Sequence, residues 1–526
     1  MVSRPFVESA AKCTKYSRGF GEIASSPRAH KSAGASLGEF EVLSPSLRRN
    51  LNGGMYDAYV YADQPSEDLS HLAEQQFAKK EGDTTSSVQL QYQMALEKSG
   101  MIHNSKSDMC VSDCLEMLRK REEAWTKFQP VFNKRIHVDH QETEIYEISG
   151  CTCFLGEYKH TSIPFLRLPS TPGDDTEWDE LIVGCQIVDI GVALCEHDLF
   201  AVIVLDPSPH LKVKLYQLST KSPHPLATNH IIPVHSCAVG RLSVGVEIVG
   251  DYLVLIASEY LLVLPDKVYI FDWKKGILLH DIVAPNQCYT SFVFLDPATL
   301  LLANARNATL EMWKIPEGKM CTVLHLPQFK TGICISYMDC YSSPNPRSFS
   351  TSRPFHPDPA KSLIIFHLHI NDFVGTSTVM FLVHRKAFLD IHRQGLGDIE
   401  WDAWGPPCTR WFPVESLGWI TTTSGQRNVL CTRRDIFLLD FNPWSLHRAR
   451  VSKDASEHII DNDSDMPAIL HMDSSLFMEP VVGNLPFVMR SMRHHNFHRF
   501  LMDEERILGL IRGDHGITDL DVMYFG

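Results

Sequence analysis

Short apolar runs of the β type dominate the chain beyond about Arg135. Pro, Gly, Asn and Asp separate these runs, and no long helical pattern alternates with them. Many short strands without intervening helices are typical of a β-sandwich, a barrel or a propeller. The clearest predicted strands are residues 182–194, 200–205, 213–218, 253–258, 267–272, 290–295, 309–315, 363–369, 379–384, 418–423 and 435–441.

A weak internal repeat favours the propeller. Residues 268–279 (VYIFDWKKGILL) and 310–319 (LEMWKIPEGK) share the order of apolar strand, Trp, Gly turn and resumed strand. Trp273 and Trp313 lie 40 residues apart, about the length of one WD-repeat blade. Looser echoes occur at Tyr216 and Phe441, and their irregular spacing indicates insertions or degenerate blades. The alternative is a β-sandwich in which the Trp spacing is coincidental.

A helical hairpin is predicted before the β-region. Leu90 and Met94 fall on one face of a first helix, which Gly100 should end. A second helix should begin near Asp113, with Glu116 completing a capping box. The residues predicted to form its apolar face are Leu115, Leu118, Trp125 and Phe128. The charged run predicted to form its solvated face is Arg119, Lys120, Arg121, Glu122 and Glu123.

Residues 1–85 show neither a helical nor a strand period and are rich in Ser, Gly, Ala, Glu and Lys. Such a segment cannot repay its ordering entropy by burial, and we predict that it is largely disordered. The predicted organisation is therefore a disordered segment at 1–85, a helical neck at 86–136 and a propeller-like β-domain at 137–526.

Composition narrows the class of protein. Apolar residues make up 44% of the 526 residues, enough for a sizeable core. A net charge of −14 disfavours nucleic acid and anionic membranes as partners. The 14 cysteines are dispersed and follow no signal-peptide core, which indicates free thiols in an intracellular, cytoplasmic or nuclear protein. The most apolar stretch, 251–271, contains Glu259, Asp266 and Lys267, so it predicts two buried strands rather than a membrane helix.

Several motifs imitate reactive sites. The Gly34–Gly38 string has the form of a nucleophile elbow around Ser36, but no buried strand precedes it. Asp461, Asp463 and Asp465 resemble the opening of a calcium loop whose sixth and twelfth positions are here Met466 and Met472, so a polar loop is expected. A denser acidic loop, interpreted as solvated, comprises Asp174, Asp175, Glu177, Asp179 and Glu180.

Candidate metal ligands are also present, without a metal-binding spacing. Cys110 with Cys114 and Cys151 with Cys153 are interpreted as buried structural thiols, and His367 with His369 as packed side chains of one strand. The residues interpreted as a surface basic patch are His494, His495, His498, Arg490, Arg493 and Arg499. We assign no catalytic, cofactor-binding or metal-binding residue and expect no cofactor.

Five strings, read in order, resemble the F-box proteins expanded in mushroom-forming fungi. They are residues 118–125 (LRKREEAW), 215–227 (LYQLSTKSPHPLA), 271–276 (FDWKKG), 404–412 (WGPPCTRWF) and 503–507 (DEERI). The resemblance implies a substrate receptor of a cullin-RING ubiquitin ligase, with an F-box docking on the adaptor and the β-domain holding the target. An F-box opens with a Leu-Pro pair, and residues 1–85 offer only LSPSL at 43–47 and LSHL at 69–72. No F-box is recognisable.

The function expected from these patterns is protein binding without catalysis. One alternative is a propeller scaffold unconnected with ubiquitin, and a less favoured one is an enzyme using the propeller channel. Exposed aromatic and Arg side chains dominate interface energetics, which makes Trp404, Arg410 and Trp411 candidate contact residues. The competing interpretation, which we prefer, is that the two tryptophans fill the β-core.

Overall fold

The computed structural model describes residues 10–11 and 84–526, except residues 209, 237–241, 260–263, 347–352, 373–374, 415–419, 433–434, 453–456, 468–469, 471, 473, 494–496 and 514–515. The predicted disorder of residues 1–85 therefore falls almost wholly outside the described residues, as does Ser36. In the described part, strands predominate and form seven antiparallel blades, so the predicted propeller is confirmed and the sandwich alternative is wrong.

The first four blades follow one another along the chain, each built from strands that pair with their sequence neighbours. Blade 1 comprises β4 (Glu142–Ser149), β5 (Thr152–Glu157), β6 (Ser162–Arg167) and β7 (Trp178–Ile182). Blade 2 comprises β8 (Gln186–Ala193), β9 (Leu199–Leu205), β10 (His210–Gln217) and β12 (Ile231–Ser236), with the short β11 (Ser222–Pro223) beside β10. Blade 3 comprises β13 (Leu242–Val249), β14 (Tyr252–Glu259), β15 (Asp266–Asp272) and β16 (Ile277–Ala284), with β1 (Ala10–Ala11) parallel to β13. Blade 4 comprises β17 (Tyr289–Asp296), β18 (Thr299–Asn304), β19 (Thr309–Lys314) and β20 (Lys319–His325), with β25 (Asp398–Ile399) parallel to β20.

The last three blades carry longer insertions. Blade 5 comprises β21 (Cys334–Tyr341), β23 (Leu363–Asn371), β24 (Thr376–His384) and β26 (Thr409–Pro413). Blade 6 comprises β27 (Thr423–Ser424), β28 (Arg427–Cys431), β29 (Asp435–Asp440), β31 (Phe487–Arg493) and an outer β30 (His458–Ile460). Blade 7 comprises β32 (Phe497–Met502), β33 (Arg506–Gly513), β34 (Gly516–Tyr524) and β3 (Phe132–His137). Short 3₁₀ turns occur at Pro359–Lys361, Asp463–Asp465 and Ser474–Leu476.

Six helices lie in the described part of the chain. They are α1 (Thr84–Ser99), α2 (Val111–Lys127), α3 (Leu194–His197), α4 (Arg385–Gln394), α5 (Trp401–Cys408) and α6 (Pro443–Ser452). The neck consists of α1 and α2, and between them β2 (Met101–His103) pairs with β22 (Phe355–Pro357) from the insertion of blade 5. None of the helices in this part of the chain is both long enough and apolar enough to cross a bilayer.

The aromatic residues of the sequence repeat lie near the ends of third strands, although not all at the same position. Trp273 follows β15 directly and Trp313 lies in β19, which are the third strands of blades 3 and 4. The looser echoes Tyr216 and Phe441 mark the ends of β10 and β29, the third strands of blades 2 and 6. Trp273 is fully buried, and its Nε1 donates to the Gly250 carbonyl at 2.9 Å. The Trp273 and Phe441 amides donate to the carbonyls of Asp251 and Gln426. The equivalent bonds of blades 4 and 2 are made by Ile315 and Leu218, two residues after Trp313 and Tyr216.

Two strand predictions need correction. Residues 182–194 were expected to form one strand, but Ile182 ends β7 and the next strand begins at Gln186. Gly184 between them has φ +74°, a conformation that a strand does not adopt.

Of residues 418–423, Gly418 and Trp419 lie outside the described residues, and of the other four only Thr423 belongs to a strand, β27. The stretch 251–271 does form two strands, β14 and β15, as expected.

The neck helices also depart from the predicted faces. Leu90 is 40% exposed, and the buried face of α1 carries Tyr92 and Leu96, which pack against α2. Helix α2 begins at Val111 with Cys110 as its N-cap, so the capping box at Asp113 is wrong. Asp113 instead lies in the first turn, where a carboxylate complements the helix dipole. The predicted end of α1 at Gly100 is confirmed, since Gly100 has φ +64°.

The ring of blades closes through a strand from the other end of the domain. β3 is the outermost strand of blade 7 and pairs antiparallel with β34, with Ile136 opposite Leu520. Ile136 is buried with side chains of blades 1 and 7, whereas Asn133 on the same strand is exposed. Each blade buries its faces against its neighbours, so closure removes the last two uncovered faces.

We predict that Ile136→Ala lowers the free energy of unfolding by about 2–4 kcal/mol, because it leaves a cavity in the strand that closes the ring. Urea unfolding followed by tryptophan fluorescence measures this change. Asn133→Ala on the same strand is the matched control and should change the free energy by less than about 0.5 kcal/mol. Equal effects of the two substitutions would contradict the closure described above.

Candidate protein-interaction surface

The candidate contact residues of blade 5 are not on the surface. Trp404, Arg410 and Trp411 are at most 3% exposed. The Trp404 Nε1 donates to the His325 carbonyl at 2.9 Å, and the Trp411 ring stacks on Phe381 at 4.5 Å between centroids. Both tryptophans are buried, as we preferred, but only Trp411 lies in a strand, β26. Trp404 lies on helix α5, where its ring packs against Phe388 of α4, and none of the three residues is exposed to a partner.

Arg410 has a structural role that the neighbouring residues in the sequence do not indicate. Its Nε donates to the Leu485 carbonyl and its Nη2 to the Asp461 carbonyl, both at 2.9 Å. The guanidinium thereby ties β26 to the long connection between α6 and β31. A buried guanidinium is stable where its donors all find acceptors, and backbone carbonyls supply them here.

The neck contacts one face of the propeller over blades 5, 6 and 7. Its contacts are with the turn between β32 and β33, the start of β28, the residues after β29, and β22 in the loop between β21 and β23. Each of these segments either connects the first strand of its blade to the second strand or follows the third strand of its blade. We call this side of the ring the neck face. The opposite face carries the other connections, including the turns from second to third strands.

An aromatic stack anchors α2 to the neck face. The Trp125 ring lies on Phe525 with 4.0 Å between centroids and an interplanar angle of 13°. The Phe128 ring also stacks on Phe525, with 5.9 Å between centroids. The apolar cluster includes Val429 and Ile436 of blade 6, so burial of Trp125 joins the neck to two blades.

Buried charges surround this stack. The Arg121 side chain is 4% exposed, donating from Nη1 to Glu122 Oε1 at 3.1 Å and from Nη2 to the Glu504 carbonyl. The Arg427 side chain is 8% exposed, and its Nη2 donates to Glu122 Oε2 at 2.5 Å. Its guanidinium also lies 5.3 Å above the Trp125 ring, within cation–π range. Glu122 therefore bridges two buried arginines of different elements.

This arrangement corrects the predicted solvated face of α2. Arg119, Lys120 and Glu123 are exposed as expected, but Arg121 is buried and Glu122 is half-buried. A run of charged residues in the sequence does not show which of its side chains face solvent and which are buried against the propeller.

A small cavity of about 20 Å³ lies between the neck and blade 6. Among its lining residues, Ser424 Oγ, Gln426 Oε1 and Arg427 Nε have no hydrogen-bond partner in the described part of the protein. A cavity of this size accommodates one water molecule, which can bond to such groups. It is too small for a substrate, so it offers no reaction site.

The paired histidines of β23 are packed side chains, as expected. His367 and His369 are 7% and 6% exposed, and the His369 ring lies 5.7 Å from that of Tyr337. Burial lowers the pKa of His367 to about 3, with a smaller contribution from His369, and burial lowers the pKa of His369 to about 4. Both imidazoles are neutral over the physiological range.

Of the four cysteines expected to be buried structural thiols, Cys114 and Cys153 are buried and Cys151 is half-buried, but Cys110 is exposed, so the prediction is wrong for Cys110. The two pairs do not come together. Cys110 and Cys114 lie at the start of α2, whereas Cys151 and Cys153 belong to blade 1. Burial raises the pKa of Cys151 and of Cys153 to about 12, so both are thiols rather than reactive thiolates. In the part of the chain that the structure describes, no group of three or more His, Cys, Asp or Glu side chains could hold a metal ion.

The two acidic loops are held by their own backbone. Asp465 Oδ2 accepts from the amides of Asp461 and Asn462, at 3.2 and 3.0 Å. Asp174 accepts from the Thr171 hydroxyl and from the amides of Ser170 and Thr171, and these bonds lower its pKa to about 2. These carboxylates stabilise turns, which fits the polar loop predicted at 461–465 and the first part of the acidic loop predicted at 174–180. Asp179 and Glu180 were expected in that loop as well, but they lie in strand β7.

The basic patch is only partly described. His494 and His495 lie outside the described residues, while His498 is exposed and its Nε2 lies 3.3 Å from Arg512 Nη1. Arg490 is 3% exposed and forms an ion pair with Glu457, so its expected place in a surface patch is wrong. Arg493 is exposed at the end of β31.

Comparison with known proteins supplies no family. No family model matches the chain, and no curated protein matches it. Among solved structures, hydrazine synthase of Kuenenia stuttgartiensis aligns at 10% identity with TM-score 0.39, covering 73% of this chain and 96% of that one. BamB of Moraxella catarrhalis aligns at 9% identity with TM-score 0.34 over 74% and 98%. The WD40 repeats of RRP9 align at 8% identity with TM-score 0.38 over 74% and 97%. Alignments this loose carry no function from one protein to another.

We predict that Glu122→Gln lowers the free energy of unfolding by about 1–3 kcal/mol, because two buried guanidinium groups then lack their shared carboxylate. Thermal or urea unfolding measures the loss. Glu123→Gln is the adjacent control, since its partner Lys127 is 60% exposed and such pairs contribute less than about 1 kcal/mol. A Glu123 variant as unstable as the Glu122 variant would contradict this account of the junction.

The histidine pair predicts an acid-sensitive stability. In the unfolded chain both histidines take up protons near their ordinary pKa. In the folded chain His369 becomes protonated only near pH 4 and His367 only near pH 3. The free energy of unfolding should therefore fall as the pH drops below about 6.5. Replacing His367 with Gln should make that slope shallower by about 1.4 kcal/mol per pH unit between pH 6 and pH 4.5. Urea unfolding at pH 7.5 measures the packing cost separately, and an unchanged slope would refute the assignment.

Proposed function

We propose that this protein is a non-catalytic protein-binding module that acts inside the cell as a substrate receptor of a cullin-RING ubiquitin ligase of the F-box type. The observation that carries the proposal is the fixed junction between the neck and the propeller. Trp125 stacks on Phe525 at 4.0 Å, and Glu122 pairs with Arg427 across the same contact. The sequence resemblance to the fungal F-box proteins supports the same role.

A ligase receptor has to hold its target at a defined position relative to the rest of the complex. A flexible tether spreads the bound target over a large volume, whereas a packed joint fixes its distance and orientation. The neck supplies such a joint, because aromatic packing and buried ion pairs connect α2 to blades 6 and 7. The segment before α1 would then dock on the adaptor, while the propeller would hold the target.

The described side chains favour binding over catalysis. Cys151 and Cys153 are held as thiols, His367 and His369 as neutral imidazoles, and the cavity at the neck has room only for water. None of these groups combines a nucleophile, a base and a substrate-sized pocket, which a catalytic site requires. Rigid blades joined by variable loops are a suitable frame for gripping a protein.

The proposal predicts that tagged full-length protein recovers the ligase adaptor and a cullin from cells in which the proteasome is blocked. The matched variant Leu69→Ala/Leu72→Ala, in the apolar string before the neck, should lose at least half of the adaptor while keeping the propeller partners. Quantitative mass spectrometry of both pull-downs measures the two groups separately. Leu90→Ala, an exposed leucine within the neck, is the control.

Two outcomes would change the assignment. Recovery of neither adaptor nor cullin would remove the ligase role and leave a propeller scaffold whose partners do not change in abundance when the gene is deleted. Turnover of a small molecule that a single substitution abolishes would refute the binding module itself.

A further inference from the structure

The outer edges of the seven blades differ in how they are protected. A strand at a sheet edge offers unpaired backbone groups, and proteins blunt such edges with charge, Pro, or a covering segment. β7 carries Asp179 and Glu180, β12 carries Pro233, and β3 carries Lys134 and Arg135. β20 is covered by β25, β31 by β30, and β26 by the segment that bonds to the Thr409 carbonyl.

β16 in blade 3 lacks a cover among the described residues. Its backbone bonds there are to β15 alone, and it contains no Pro. Four of its apolar side chains are exposed, at 47% for Ile277, 48% for Leu278, 37% for Leu279 and 58% for Val283. No other blade in the described part of the protein presents so apolar an outer strand with its edge uncovered.

The regular part of this edge is short and bounded. The pairing with β15 shifts at Leu279, where the strand bulges, and Pro285 follows Ala284. A bulge disrupts the ladder locally, and Pro cannot donate to it. Residues 280–284 are therefore the part able to accept another strand.

We propose that β16 pairs antiparallel with β16 of a second copy of this protein, around a two-fold axis at Ile282. In an antiparallel pair, two residues directly opposite each other project from the same face of the sheet. The two-fold axis, perpendicular to the sheet, also leaves each side chain on its own face. Two residues can therefore be opposite each other only if their residue numbers differ by an even number. An axis at Asp281 would place two carboxylates opposite each other, and an axis at His280 would involve the bulged Leu279. The axis at Ile282 avoids both.

This register is complementary in charge. It places Asp281 opposite Val283 of the second copy and His280 opposite Ala284. Lys267 of β15 pairs with Val283, and its Nζ lies 3.9 Å from Asp281 of its own chain. In the dimer Lys267 falls in the same row as Asp281 of the second copy, two strands away at about 10 Å between Cα atoms, which a lysine can span. Each carboxylate then lies between two ammonium groups.

The contact is isologous and small, so the dimer should be weak. Sedimentation velocity of the full-length protein should show a monomer–dimer equilibrium between about 1 and about 100 µM. Val283→Asp should weaken dimerisation by about tenfold or more, because it sets like charges opposite each other in both halves of the interface. Within its own chain the new carboxylate faces Lys267, so the fold is retained, which circular dichroism checks.

A charge exchange tests the register itself. Asp281→Lys combined with Val283→Asp places the new ammonium group of each copy opposite the new carboxylate of the other. This double variant should restore dimerisation to within about threefold of the wild type. Ile182→Asp, at a 74% exposed apolar residue on the edge of blade 1, is the matched control and should leave the equilibrium unchanged. A wild-type protein that stays monomeric throughout, equal effects of Val283→Asp and Ile182→Asp, or a double variant that stays monomeric would each overturn the proposal.

Discussion

The pairing of β3 with β34 is the constraint on which the rest of the structure depends. A blade cannot bury both of its faces alone, so an open ring would leave two apolar surfaces in water. Closure joins Ile136 to a partner almost 400 residues later in the chain, at Leu520. Such a contact costs loop-closure entropy before it contributes any stability, and burial of Ile136 and its neighbours between blades 7 and 1 has to repay it.

The same closure determines where the neck lies. α2 ends at Lys127, and the Val131 amide already donates to the Tyr524 carbonyl at 2.7 Å. Only a few residues separate the helix from the closing strand, so α2 has to pack close to the end of β34. Phe525, the residue after that strand, is the one on which Trp125 stacks. The neck is thus part of the closure of the ring and not an appendage to it. A substitution that destabilises one of them is expected to destabilise the other.

The sequence revealed the propeller because the repeat has a physical cause. Trp273 and Phe441 follow the third strands of blades 3 and 6 directly, while Trp313 and Tyr216 lie two residues before the corresponding Ile315 and Leu218 of blades 4 and 2. Residues two apart in a strand project from the same face, so the repeat marks one face of the third strand near its end. The surface was harder to predict. Arg121 belongs to a charged run and Arg410 to an aromatic one, yet both are buried, because their acceptors come from segments distant in sequence: Glu504 and Leu485. Local pattern does not carry that information. The same limit applied to α1, whose buried side is set by contacts of Tyr92 and Leu96 with α2 rather than by the Leu90–Met94 spacing.

Two groups of buried ion pairs lie on the neck face. On the neck face, Arg121 and Arg427 are buried with Glu122, and Arg506 is buried with Asp503 and Glu505 at the turn between β32 and β33. Replacing such pairs by apolar residues is often neutral for stability, so their value lies in specifying one arrangement. An apolar joint can slide, but a misplaced guanidinium left without its carboxylate costs several kcal/mol. Aromatic packing therefore supplies the adhesion of the neck and the ion pairs supply its register, which is what a module that presents a partner in a fixed orientation requires.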